Sequence, residues 1–185
     1  MKVGIYGGSF NPIHNGHIKL AEIFFKELEL DEVWFMVSPQ NPFKKNKNLL
    51  TETLRFQLVE KALKNKKYMI ACNYEFSLPK PSYTWNTLQQ LSSDFPANKF
   101  ILLIGGDNWL AFNKWYHAND ILENYSIAVY PRTCSKTAGN CNLFSTKNVT
   151  LLNIPLINIS STDIRQRIKK GETIKGLVPE CIEND

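Results

Sequence analysis

Short apolar runs alternate with stretches of helical period along most of this chain. Val3-Gly4-Ile5-Tyr6 is apolar, partly β-branched and too short for a helix, so it predicts a buried strand. Ile18, Ala21, Phe24, Phe25 and Leu28 then recur at three- and four-residue spacing and predict an amphipathic helix over 16–28. A second strand is predicted over 33–37, a Pro- and Lys-rich loop over 38–48, a helix from Thr51, and a third strand over 68–72. Pro79 and Pro81 mark 77–82 as loop, and 84–91 is helical in pattern. Residues 100–104 are an interior strand ending in Gly105-Gly106-Asp107. Residues 108–124 predict two short helices, with Trp109 and Phe112 in the core. A strand over 126–130, a polar irregular stretch over 132–147 and a short last strand over 149–152 follow. Ser160-Ser161-Thr162-Asp163 starts a final helix in the manner of a capping box, and Lys169-Lys170-Gly171 stops it. This alternation predicts an α/β fold, with a mainly parallel sheet and helices on both faces.

Composition narrows the class without changing it. At 185 residues and 43% hydrophobic content, the chain is expected to form one domain over 1–185 with a sizeable core. No apolar run reaches the roughly 18 to 20 residues of a membrane span, and Met1-Lys2-Val3 leads straight into a strand without a signal-peptide pattern. A cytoplasmic protein is expected. Cys72, Cys134, Cys141 and Cys181 show no close pair and no neighbouring histidine, and are read as free thiols. The net charge of +5 includes Lys44, Lys45 and Lys47 beyond the second strand, and Lys64, Lys66 and Lys67 at a helix end. The second cluster reads as a solvated surface. The first lacks the interleaved aromatics of a nucleic-acid groove and suits a small anionic substrate.

The most specific stretch is Gly7-Gly8-Ser9-Phe10-Asn11-Pro12-Ile13-His14-Asn15-Gly16-His17, between the first strand and its helix. Glycines at the carboxyl end of a strand let the backbone approach a ligand, and the following helix start favours an anion. His14 and His17, three residues apart, can present both rings to one phosphate. The G-x-G-x-x-G fingerprint is absent, which argues against an ordinary Rossmann oxidoreductase. At the other end of the chain, Ile159-Ser160-Ser161-Thr162-Asp163-Ile164-Arg165 places hydroxyls and an arginine at a helix start. A cation in a first turn opposes the helix dipole unless an anion is bound there, so this too reads as a polyphosphate site.

His14-Asn15-Gly16-His17 after Gly8-Ser9-Phe10-Asn11-Pro12 resembles the HxGH signature of the nucleotidyltransferase superfamily, and Ser160-Ser161-Thr162-Asp163-Ile164-Arg165 its [ST]-[ST]-x-I-R signature. Within it, the chain is similar to the nicotinate-nucleotide adenylyltransferase family along nearly its whole length. The shared segments include Ser38-Pro39-Gln40-Asn41-Pro42-Phe43-Lys44, Pro81-Ser82-Tyr83-Thr84-Trp85-Asn86-Thr87-Leu88, Leu103-Ile104-Gly105-Gly106-Asp107 and Trp115-Tyr116-His117. The resemblance implies a Rossmann-like nucleotidyltransferase fold and adenylyl transfer from ATP to nicotinate mononucleotide, giving deamido-NAD and pyrophosphate. It implies that Tyr83, Thr84 and Trp115 surround the nicotinate ring with Tyr116 beside them, and that Asp107 contacts a nucleotide ribose. The charge problem of joining two anions then assigns His14 and His17 to the α-phosphate region and Lys44 to phosphate neutralisation. Arg165, Ser161 and Thr162 are assigned to the β/γ-phosphates, and Gly7, Gly8, Ser9 and Phe10 to the backbone around ATP. Mg²⁺ is expected to arrive on the ATP phosphates rather than at a protein metal site. No nucleic-acid or membrane partner is expected, and oligomeric state stays open. Three positions depart from the family's habit: Ser9 for Thr, Phe43 for His, and Asn86 for Asp in the segment after Tyr83. Rival readings are a sister enzyme acting on nicotinamide mononucleotide or phosphopantetheine, and a non-catalytic nucleotide-binding module.

Overall fold

The structure, a computed structural model, describes residues 1–40, 49–130, 147–152, 154 and 157–184. Lys44, Phe43 and the other lysines of that loop lie outside the described residues, as do Cys134, Cys141 and nearly all of the polar stretch expected over 132–147. The elements are β1 (Lys2–Gly8), α1 (Asn15–Glu27), β2 (Glu32–Val37), α2 (Glu52–Leu63), β3 (Met69–Cys72) and α3 (Thr84–Asp94). They continue with β4 (Lys99–Gly105), α4 (Gly106–Leu110), α5 (Ala118–Asn124), β5 (Ser126–Tyr130), β6 (Val149–Leu151) and α6 (Ser161–Lys170).

The six strands form one sheet in the order β3-β2-β1-β4-β5-β6, and every pairing is parallel. Side chains alternate faces along each strand. On β4, Phe100, Leu102 and Ile104 enter one core with Leu88 and Leu91 of α3, Trp109 of α4 and Ile121 of α5. Ile101 and Leu103 of the same strand face a second core with Phe24 of α1, Val59 of α2 and Ile164 of α6. Helices therefore cover both faces, as a buried parallel sheet requires. The chain winds outward from β1 through β2 to β3, then returns to the other side of β1 as β4. That reversal opens a crevice at the carboxyl ends of β1 and β4, where open α/β sheets bind ligands.

Some boundaries differ from the sequence reading. The span expected as two helices over 108–124 forms three pieces, α4, a 3-10 turn over Phe112–Lys114, and α5. It starts earlier than expected because Gly105, the last residue of β4, is itself the N-cap of α4. Further 3-10 turns over Tyr74–Ser77 and Glu180–Ile182 were not expected. The third strand begins at Met69 and the last ends at Leu151, each one residue short of expectation. Trp109 and Phe112 are buried as expected. Among the described residues, Cys72 and Cys181 are free, and no helix is long and apolar enough to cross a membrane.

The last helix joins this framework through little apolar surface, since Ile164 is its one buried residue. Ile164→Ala removes that anchor and is expected to lower stability by about 2 to 5 kcal/mol. Urea unfolding of the variant checks this, and a loss under about 1 kcal/mol would show that polar contacts alone hold the helix.

Candidate active site

The turn after β1 is built around Phe10 and His14. Phe10 adopts a left-handed backbone, φ 43°, which costs a non-glycine residue roughly 1 to 3 kcal/mol. Burial offsets that cost: its ring packs against Tyr6, Phe35 and His17 at centroid distances of 5.7, 5.5 and 5.0 Å. His14 is the N-cap of α1. Its Nδ1 accepts from the main-chain N–H of His17 at 3.2 Å, while Nδ1 of His17 accepts from the N–H of His14 at 3.3 Å. The rings stack with centroids 3.5 Å apart. A neutral imidazole that accepts at Nδ1 carries its proton at Nε2, so each ring is set as an Nε2–H donor. Gly16 explains its own presence, because a Cβ there would lie 3.0 Å from Nδ1 of His14 and 3.2 Å from Ile157.

Across the crevice stands the start of α6. Ser160 caps it by accepting from the N–H of Asp163 at 3.1 Å, and the hydroxyl of Ser161 donates to the carbonyl of Pro12 at 3.0 Å. Arg165 is the fifth residue of this helix, one turn further in than the first turn expected from sequence. Its guanidinium reaches back toward the helix start, donating to the carbonyl of Asn11 at 2.7 Å and to the Thr162 hydroxyl at 3.3 Å. A polar cavity of about 340 Å³ lies between the two ends of the chain, lined by Gly7, Gly8, Ser9, Phe10, His17, Asp107, Ser161, Thr162 and Arg165 among others. Every donor-side residue expected from sequence is brought together there except two. His14 is buried behind His17, and Lys44 lies outside the described residues.

A second cavity, of about 290 Å³, opens on the other side of Gly7 and Gly8 and is lined by Tyr83, Thr84, Trp115 and Tyr116, with Ser38, Glu75, Ser82, Thr87 and Lys114. All four residues expected to hold an acceptor therefore share one wall. The Tyr83 and Tyr116 rings lie 4.8 Å apart, and Trp115 packs on Phe112 at 5.2 Å. The helix α3 begins at this cavity, and its N-cap residue, Tyr83, makes no side-chain cap bond. Its first amides are consequently available to a ligand, with the positive end of the helix dipole behind them. Asn86 is exposed in this first turn and does not line the cavity.

Two buried charged residues were not picked out from sequence. Glu75, 5% exposed, accepts from the Thr87 hydroxyl at 2.9 Å through Oε1, while Oε2 and the neighbouring Ser82 Oγ are buried without a partner among the described residues. Burial pushes the Glu75 carboxyl above its ordinary range, opposed by the nearby hydroxyls of Ser38, Thr87 and Ser82. Nothing in the 74–77 sequence announced a buried acid. Arg55, by contrast, carried a signal: with Leu58, Val59 and Leu63 it completes the buried stripe of α2 at helical spacing.

Helix starts that converge on a topological switch point, one of them carrying stacked histidines, suit anion binding and phosphoryl chemistry on a nucleotide. The fold and site define a nucleotidyltransferase. Residues 5–167 match the family model described as Cytidylyltransferase-like. A Cytophaga hutchinsonii protein named as a nicotinate-nucleotide adenylyltransferase is 46% identical, the alignment covering 99% of this chain and 94% of the relative. One of the same name from Bacteroides fragilis is 42% identical over 94% of this chain and 85% of its own length. The chain belongs to the nicotinate-nucleotide adenylyltransferase family. Among solved structures, the Plasmodium falciparum nicotinic acid mononucleotide adenylyltransferase complexed with NaAD has the same fold. Its TM-score is 0.79 at 20% identity, covering 94% of this chain and 86% of that one.

Two outcomes follow from this geometry. Gly16→Ala pushes a methyl group against the His14 ring, and a displacement of a few tenths of an ångström is expected to lower kcat by about 3- to 10-fold, less than a full 1 Å misplacement would, while thermal stability changes little. Turnover at the wild-type rate would show that the ring yields without consequence. For Glu75, a raised folded-state pKa means the native state binds the proton more tightly than the unfolded chain. Stability from this group is complete below about pH 4 and is lost as pH rises through the folded value. Glu75→Gln removes that loss. The unfolding free energy of the variant relative to wild type should therefore improve from pH 4 to pH 8, and a pH-independent difference would overturn the assignment.

Proposed function

We propose that this chain transfers the adenylyl group of ATP to nicotinate mononucleotide, giving deamido-NAD and pyrophosphate. The observation that carries the reading is the meeting of two unlike cavities across Gly7 and Gly8, one polar and flanked by His17 and Arg165, the other aromatic and opening on the uncapped start of α3. ATP occupies the first and the acceptor the second, so the acceptor phosphate and the α-phosphorus come together at the glycines.

The second pKa of a phosphate monoester is about 6, so the acceptor oxygen is already largely ionised near neutral pH and needs no strong base. That oxygen attacks the α-phosphorus, the bond from phosphorus to the bridging oxygen breaks, and pyrophosphate leaves with the electron pair. What the protein supplies is placement and positive charge. His17 donates from Nε2 to the α-phosphate oxygens, and His14 fixes that ring by stacking on it. Arg165, Ser161 and Thr162 hold the β/γ-phosphates that become the leaving group, Lys44 adds charge from the loop, and Asp107 contacts the ribose. The cavity offers the hard oxygen donors that suit Mg²⁺, among them the Asp107 carboxylate and the Ser161 and Thr162 hydroxyls. Bound with ATP, the ion would neutralise phosphate charge. The proposed catalytic unit is 1–185 and the proposed setting cytoplasmic.

The acid and the amide of the acceptor have nearly the same shape, so Trp115 and the tyrosines supply affinity with little discrimination. Discrimination comes from the α3 amides, which donate to both oxygens of a carboxylate but would face the N–H₂ donor of an amide. An unpaired buried polar group costs about 1 to 3 kcal/mol, roughly 5- to 150-fold in kcat/KM. Pyrophosphate release from ATP with each acceptor tests this. Preference for the acid is expected, preference for the amide would overturn the acceptor assignment, and release with neither would overturn the reaction.

A further inference from the structure

Arg55 on α2 is fully buried, at 0% exposure, yet among the described residues no carboxylate takes a hydrogen bond from it. Its guanidinium donates to four main-chain carbonyls instead. Nη1 reaches Ser9 at 2.6 Å and Ser38 at 2.9 Å, Nη2 reaches Pro39 at 3.3 Å, and Nε reaches Leu50 at 3.0 Å. An arginine used only for packing could be replaced by an apolar side chain at no loss, because a buried charge is costly to keep out of water. The segments it joins are informative. Ser9 lines the polar cavity, and Ser38 lines the aromatic one.

We propose that Arg55 is a positioning residue that sets the spacing between the ATP and acceptor cavities, by holding the turn after β1 and the end of β2 on one guanidinium nitrogen. The inference rests on the two-cavity reading above. Ser9 and Ser38 belong to different strand ends, and a shared donor at 2.6 and 2.9 Å leaves neither free to drift from the other. The bond from the Ser38 N–H to the carbonyl of Gly8, 2.9 Å, adds a second tie between the same ends. The clamp extends to the far wall: Leu50, bonded to Nε of Arg55, donates its N–H to Oδ1 of Asn11 at 3.3 Å, and the carbonyl of Asn11 accepts from Arg165. The buried guanidinium is thus two hydrogen-bonded residues from the arginine that flanks the polar cavity. Lysine at this position keeps the charge but presents a single nitrogen, which cannot reproduce a planar fork aimed at carbonyls on three segments.

A residue that sets spacing affects the encounter of two bound substrates more than the binding of either. Each substrate still finds its own cavity, so KM values hold, whereas the in-line approach is lost and kcat falls. The test compares wild type with Arg55→Lys, using the acid or amide acceptor, whichever wild type uses better, and counting folded sites by ATP titration. The expected result is a kcat per folded site lower by on the order of 100-fold, with both KM values and the ATP affinity little changed. A kcat per folded site close to wild type, or a loss carried by KM, would overturn this inference while leaving the proposed reaction standing. Wild type inactive with both acceptors would overturn the reaction and this inference together.

Discussion

The turn between β1 and α1 cannot satisfy its own carbonyls, and much of the structure is arranged to do it from a distance. The carbonyl of Ser9 accepts from Arg55, that of Asn11 from Arg165 and that of Pro12 from the Ser161 hydroxyl. None of these donors is local: they come from α2 and from α6 at the opposite end of the chain. A fully buried carbonyl left without a donor would cost about 1 to 3 kcal/mol, and these three, part-buried, would each cost less but together still a sizeable share of the stability of an ordinary domain. Tying them off holds the left-handed Phe10 in place and fixes the two histidines that follow it. The same side chains that complete the fold at this point therefore also shape the polar cavity, and folding and site assembly are one event here.

Much of this was legible in the sequence because the relevant signals are periodic or local. A buried parallel strand announces itself as an apolar run, and the runs around Ile5, Phe35, Leu102 and Ala128 all became strands of the central sheet. The capped starts at Thr51 and Ser160 and the stop at Gly171, which takes φ 68°, are chemistry within a few residues. Motif spacing brought His17, Ser161, Thr162 and Arg165 to one cavity, and Tyr83, Thr84, Trp115 and Tyr116 to another, across the distance from one end of the chain to the other.

The remainder was hidden for stated physical reasons. Glu75 is a charged residue whose partner is a hydroxyl on another element, and no local pattern distinguishes it from a solvated side chain; the place of Arg55 on the α2 stripe hints at burial, but its carbonyl partners on other segments have no local signal. The sequence places Arg165 close to the helix start, and the structure makes it the fifth residue of a helix that begins at Ser161, one turn in. The distance matters to the argument from the dipole. A cation one turn below the helix start opposes the dipole less than one within the first turn, since the effect fades over that length. What points to an anion is the direction of its side chain, which folds back past Thr162 toward Asn11.

The histidine pair carries the last step. In the structure both Nδ1 atoms accept main-chain N–H groups, so the neutral rings carry their protons at Nε2 and are donors in place of bases. For acyl transfer from an alcohol this would be the wrong arrangement, because a hydroxyl nucleophile must lose its proton. An ionised phosphate nucleophile has none to lose. Its obstacle is repulsion from the triphosphate it attacks, and under the proposed assignment of His17 to the α-phosphate a fixed N–H donor answers that obstacle without reorganising during the reaction. The capping arrangement that starts α1 is thus also the arrangement that chooses which chemistry the histidines can serve. Gly16 allows it by leaving the space beside Nδ1 of His14 open.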